Sequence, residues 1–113
     1  MRFAAIQLAG LLGLIGVALG AFGAHALKPT LLANDSTETW KTAVLYHLIH
    51  AVAALWAAER YPVVVYLWAV GILLFSGSLY ALSLVKLAWL GPITPLGGVF
   101  FMAGWAWLIV KGR

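Results

Sequence analysis

Three histidines and a handful of hydroxyls are the groups with chemical reach in an otherwise oily chain. His47 and His50 stand at i and i+3, so on a helix they share one face, and neutral imidazole is a common metal ligand. His25 is the candidate third ligand for a metal or a haem. The depths do not agree, however. If Lys28 and Lys41 mark one membrane surface, His25 lies about 4–5 Å below it, and His47 and His50 lie about 9 and 13 Å deep at ~1.5 Å per residue. The chain has no cysteine, and no Asp or Glu falls within its apolar stretches to complete a tetrahedral set. No metal and no cofactor are therefore expected. The histidines should instead bond to Ser76, to Tyr80 or to backbone carbonyls of a neighbouring helix.

A second chemistry is a proton or solute path. A seam of Gln7, His50, Ser76, Tyr80 and Thr94 could line one, because intramembrane polar groups often serve function and histidine titrates near physiological pH. Exchange of protons for cations through a buried carboxylate is disfavoured, since Glu38 and Glu59 sit at the borders of the apolar stretches. No Ser-His-Asp set, HExxH, phosphate loop or paired carboxylate supports an enzyme. The run from Gly10 to Gly23 is no nucleotide loop, because its spacing follows helix packing and no strand precedes it.

The elements that must position these groups are legible from charge. Of 113 residues, ten are charged, and residues 3–27, 42–58, 61–85 and 87–110 contain none of them. An ionised side chain at the centre of a bilayer costs about 2.5–3.5 kcal/mol on an insertion scale. Charges confined to borders, with 65% apolar residues and a mean hydropathy of +1.03, describe a chain sorted by a bilayer. The basic residues are scattered singly and form no nucleic-acid patch despite a pI of 9.8. The expectation is an all-α, polytopic bundle of four transmembrane helices. It is one integral membrane domain over residues 1–113, with spans near 4–27, 40–58, 63–84 and 95–110. Met1-Arg2, an apolar run and Ala24-His25-Ala26 imitate a cleavable signal. The uncharged run is longer than a usual signal core, so it is expected to be kept as the first span.

Faces follow from helical spacing. Gly13, Gly16, Gly20 and Gly23, joined by Ala9, fall within an arc of roughly 80° and form a contact face for a neighbouring backbone. In the second span Ala43, His47, His50, Ala54 and Ala57 should face protein. Leu45, Leu48, Ile49, Val52, Leu55 and Trp56 should face lipid. Ser76, Tyr80 and Ser83 align at i, i+4 and i+7 in the third span, and Gly97 aligns with Gly104 in the fourth. Asp35 or Ser36 reads as the N-cap of the second span, and Pro62 as the first residue of the third helix. Trp105, Trp107, Lys111 and Arg113 read as interfacial anchors. Four spans put Arg2, Arg60, Lys111 and Arg113 on one side and Lys28, Lys41 and Lys86 on the other. The positive-inside rule then places both termini in the cytoplasm.

Four motifs in order carry a resemblance. They are Gly20-Ala21-Phe22-Gly23-Ala24-His25, Thr42-Ala43-Val44-Leu45-Tyr46-His47-Leu48-Ile49-His50, Leu74-Phe75-Ser76-Gly77-Ser78-Leu79-Tyr80, and Ile93-Thr94-Pro95-Leu96-Gly97-Gly98 followed by Gly104-Trp105. Over nearly its whole length the chain resembles the domain of unknown function 423 family, small bacterial inner-membrane proteins whose eukaryotic relatives are catalogued as transmembrane protein 256. The matching histidines are His25 and His50, and His47 stands where many members carry glutamine. The resemblance implies a four-helix protein of the cell inner membrane and supplies no activity. The function read from the residues is that of a helix-packing subunit, an accessory factor or a homo-oligomer. Its partners would be the lipid bilayer and a further copy or another membrane protein. A channel or carrier is the alternative, and metal or haem binding the second alternative.

Overall fold

The computed structural model describes residues 2–113, with the side chains of Arg2 and Phe3 outside the described set. Every regular element among the described residues is helical. Helix α1 runs Arg2–Ala24, α2 Lys28–Ala33, α3 Thr37–Ala57, α4 Pro62–Leu84 and α5 Ile93–Lys111, with a 3₁₀ turn at Ala88–Leu90 before α5. Among the described residues, three helices are long and apolar enough to cross a membrane: Ala4–Ala24, Pro62–Leu84 and Ala88–Lys111. The hydropathy of α3 is diluted by the polar residues of its first turns and by its two histidines.

The molecule measures 47 × 26 × 18 Å. Helix α3 lies against α1 and α4, and α5 lies mainly on α4. At one end Ala5 and Ala9 of α1 join Ala54 and Ala57 of α3, and Val64 and Val65 of α4, in the same core. At that end the Arg113 amide also donates to the Tyr61 hydroxyl (2.8 Å). At the other end the α2–α3 loop caps α4. The long helices therefore alternate up and down.

Many interior positions carry small residues, beside a few large ones such as Trp68, Val64 and Val65, while large apolar side chains cover the surface. Ala43, Ala54, Ser76 and Ser83 are fully buried, while Val52, Leu73 and Ile109 are 69%, 70% and 84% exposed. Water would penalise such an inversion, but hydrocarbon does not, because lipid tails are as apolar as leucine. Two sets of glycines bring the helices together. A Cβ at Gly16 would lie 2.6 Å from Leu48 Cδ2, one at Gly20 would lie 3.3 Å from Val44 Cγ1, and one at Gly23 would strike the Trp40 indole. On the other side Gly71 receives Phe101, Gly97 receives the backbone of Phe75, and Gly104 receives the Trp68 indole. Gly97 meets Phe75 inside a π-helical stretch, Ile72–Ser76, whose wider turn lies between Gly71 and Gly77.

Several expectations need correction. The first span, expected near 4–27, ends as α1 at Ala24, and Pro29 sits in the first turn of the separate helix α2, where its missing N–H costs nothing. Helix α2 closes in a Schellman motif, with Ser36 N–H donating to the Leu31 carbonyl and Asp35 N–H to that of Leu32. Asp35 takes the left-handed position usually given to glycine, with φ 52°. Ser36 stands at the N-cap of α3 but its side chain caps nothing there; its hydroxyl instead donates to the Ser83 carbonyl at the end of α4 (2.7 Å). Helix α5 begins two residues before Pro95, which is tolerated in a first turn. Leu48 packs on α1 at Gly16 instead of facing lipid. Gly13 has open space where a side chain would stand, so within the monomer it is no packing glycine.

Candidate functional site

The central part of α3 holds the polar groups, and each is fixed by the helix it faces. His47 is buried between α1 and α4. Its Nε2 lies 2.8 Å from the Leu12 carbonyl, which can only accept, so Nε2 carries the proton. Nδ1 is then an acceptor for the Tyr80 hydroxyl at 2.8 Å. Gly16 makes this reach possible, because a Cβ there would stand 3.1 Å from the His47 ring carbon Cδ2. Tyr80 also packs on Trp40 with centroids 4.8 Å apart, and the Trp40 indole donates to the Leu19 carbonyl (2.9 Å).

His50, one turn further along, has the opposite tautomer. Its Nδ1 lies 2.7 Å from the Tyr46 carbonyl and therefore carries the proton. Its Nε2 accepts from the Trp105 indole N–H of α5 at 3.0 Å. The ring stacks on Phe101 at a centroid distance of 3.8 Å and 10°, with Trp68 and Trp105 edge-on at 5.5 and 5.8 Å. An aromatic layer of Tyr46, Phe75, Phe101, Trp68 and Trp105 thus surrounds the imidazole.

Hydroxyls complete the seam. Ser76 donates to the Ala43 carbonyl (2.7 Å) and ties α4 to α3. Ser78 bonds to Thr94 and donates to the Phe75 carbonyl, tying α5 to the π-helical stretch of α4. Ser83 donates to Leu79 within its own helix (2.8 Å), while its carbonyl accepts from Ser36 and from Asn34. Among the described residues, no buried side-chain nitrogen or oxygen lacks a partner.

The structure brings together His47 with Tyr80, His50 with Trp105, Ser76 with α3, and Thr94 with α4. His25 is elsewhere, exposed in the turn after α1. Gln7 is exposed as well and lies outside the seam. Among the described residues, no cluster of three or more His, Asp or Glu side chains is placed to hold a metal ion. Both nitrogens of each buried imidazole are already committed, which leaves no lone pair for a ligand bond. Trp40, Trp68, Phe101 and Trp105 escape a sequence reading of the seam, and Trp105, itself exposed, turns its indole N–H to His50. One signal could have found the three tryptophans: a tryptophan close to glycine-rich helices must place its N–H on some partner when water is absent.

Comparison with known proteins adds family context. The family described as a protein of unknown function (DUF423) matches residues 19–98. The UPF0382 inner membrane protein YgdD of Escherichia coli K12 is 42% identical over 96% of this chain and 84% of its own length. The UPF0382 membrane protein YwdK of Bacillus subtilis is 39% identical over 93% of this chain and 92% of its own. The UPF0382 membrane protein C1782.12c of Schizosaccharomyces pombe is 35% identical over 92% and 97%. No solved structure matches.

Proposed function

Starting from the fact that the chain belongs to the DUF423 family of membrane proteins, we propose a four-crossing bundle whose polar seam is a lock and that acts by association. The role is that of a subunit, an accessory factor or a homo-oligomer in the cytoplasmic (inner) membrane. One observation carries this reading. The groups that a conduit would offer to a passing solute are spent on the chain's own carbonyls and indoles. A path would need free donors or acceptors along it, and an intramembrane catalyst would need one poised group.

The fourth crossing is α3. Its 21 residues reach about 32 Å at 1.5 Å per residue, against a hydrocarbon core of about 30 Å. Its histidines point inward, and Leu45, Ile49, Val52 and Leu55 are exposed along the outer side. With α3 crossing, Arg60, Lys111 and Arg113 share the cytoplasmic end, and Lys28, Lys41 and Lys86 lie at the other. The chain has no cysteine, so single reporters are simple to read. An impermeant maleimide applied to intact cells should label Lys28→Cys and Lys86→Cys and spare Arg60→Cys. Labelling of Arg60→Cys together with Lys28→Cys would remove the α3 crossing.

Proteoliposomes test the lock directly. Proton and small-cation flux should match empty vesicles for the native chain and for His50→Ala alike, while His50→Ala lowers thermal stability. Flux above the empty-vesicle level that disappears in His50→Ala would replace this reading with transport. Crosslinking in native membranes should give species larger than the 12.1 kDa chain, and a strictly monomeric band would refute association.

A further inference from the structure

A slot of about 270 Å³ opens between the end of α1 and the start of α3, beneath α2. Its floor and walls are Gly20, Gly23, Leu31, Trp40 and Val44. Gly20 and Gly23 form the α1 side, against Val44 and the Trp40 indole, which is held there by its bond to the Leu19 carbonyl, and buried Leu31 of α2 joins the lining. At the mouth stand Ala24, Thr37, Lys41 and Leu45, of which Ala24, Lys41 and Leu45 are exposed. The volume falls below the roughly 300–1,000 Å³ of sites that enclose a drug-sized ligand, and the deep lining is apolar. A single hydrocarbon chain suits it.

The mouth has a different character. Thr37 and Lys41 are one helical turn apart on the same face of α3, a hydroxyl and an ammonium at the border of the apolar span. Lys41 has one acidic neighbour, Glu38 at 3.6 Å, and both side chains are largely exposed, so the pair is weak enough for a phosphate to displace. We propose that this slot binds one acyl chain of an anionic phospholipid, whose phosphate is held at the mouth by Lys41 and Thr37. The site shares Trp40 with the histidine seam but does not depend on the seam's role; it rests on the proposed crossing of α3, which sets Thr37 and Lys41 at the membrane border.

Native mass spectrometry of the full chain, offered equal amounts of phosphatidylglycerol and phosphatidylcholine with identical tails, tests it. Retention should favour phosphatidylglycerol about fivefold, the factor equivalent to about 1 kcal/mol from one basic group at a charged lipid surface. Lys41→Ala should bring the two lipids to parity, and Lys86→Ala, a cation at the same end outside the slot, should leave the preference intact. Leu45→Trp or Ala24→Phe should obstruct the mouth and reduce retention of both lipids. Neither substitution touches the buried core, and near-ultraviolet circular dichroism verifies folding. Equal retention by the native chain would overturn the proposal. So would a preference that survives Lys41→Ala, an equal loss in Lys86→Ala, or lipid-free dimers.

Discussion

Replacing His50 by phenylalanine isolates the polar part of the seam. A phenyl ring preserves the stack on Phe101 at 3.8 Å, so packing changes little. Two hydrogen bonds go. The bond to the Tyr46 carbonyl is the cheaper loss, since that carbonyl sits inside α3 and keeps its helical partner. The bond from Trp105 is the dearer one, because the indole N–H then faces lipid or aromatic rings with no acceptor. An orphaned donor costs about 1–3 kcal/mol, and interhelical pairs measured in a membrane protein average about 0.6 with a maximum near 1.7 kcal/mol. His50→Phe should therefore destabilise by about 1–2 kcal/mol, and Trp105→Phe by a similar amount. The double variant should recover about 0.6–1.7 kcal/mol relative to the sum. Denaturant unfolding in mixed micelles, followed by helical circular dichroism, supplies the four stabilities. Strict additivity, or a neutral His50→Phe, would show that the bond does not hold α3 to α5.

Further expectations concern glycine and the α4 cap. Gly13→Ala and Gly97→Ala should have opposite signs in the same unfolding assay. At Gly13 the added methyl meets open space, and the helix gains up to about 1 kcal/mol of propensity. At Gly97 it would meet the Phe75 backbone, which cannot step aside, and a loss of about 1–3 kcal/mol or more is expected from overpacking. Matching effects at the two sites would mean that helix contact is not what separates them. Ser36→Ala removes the bond to the Ser83 carbonyl and should cost about 1 kcal/mol, with faster hydrogen exchange at the α2–α3 loop. An unchanged exchange pattern would show that the loop is held by other means.

Much of the fold was legible because hydrocarbon is a demanding solvent. The absence of charges over long runs located α1, α4 and α5, and the Ala43–His47–His50 face of α3 was readable from spacing alone. The outward series Leu45, Ile49, Val52 and Leu55 was readable the same way. Gly16, Gly20, Gly23, Gly97 and Gly104 stood out as close-approach positions, whereas Gly71 did not, because what makes it tight is Phe101 arriving from a helix distant in sequence. What stayed hidden depends on contacts between distant segments. The indole of Trp105 on His50 spans 55 positions, and the Ser36 hydroxyl on Ser83 spans 47. No local pattern records such pairs. The N-cap position of Ser36 was readable, but its side chain's role was not: in place of accepting from the first turn of α3, the hydroxyl donates to a tertiary carbonyl. The π-helical stretch of α4 has likewise no signature in its own five residues.

The imidazole tautomers test the seam most directly. In ¹⁵N-histidine-labelled protein in lipid bilayers, solid-state NMR should show two neutral buried rings of opposite kind, His47 protonated at Nε2 and His50 at Nδ1. Neither should exchange readily with water, and Trp105→Phe should perturb His50 alone. Two rings of the same tautomer, or rings in rapid exchange with water, would contradict a seam whose donors and acceptors are all spent on the protein.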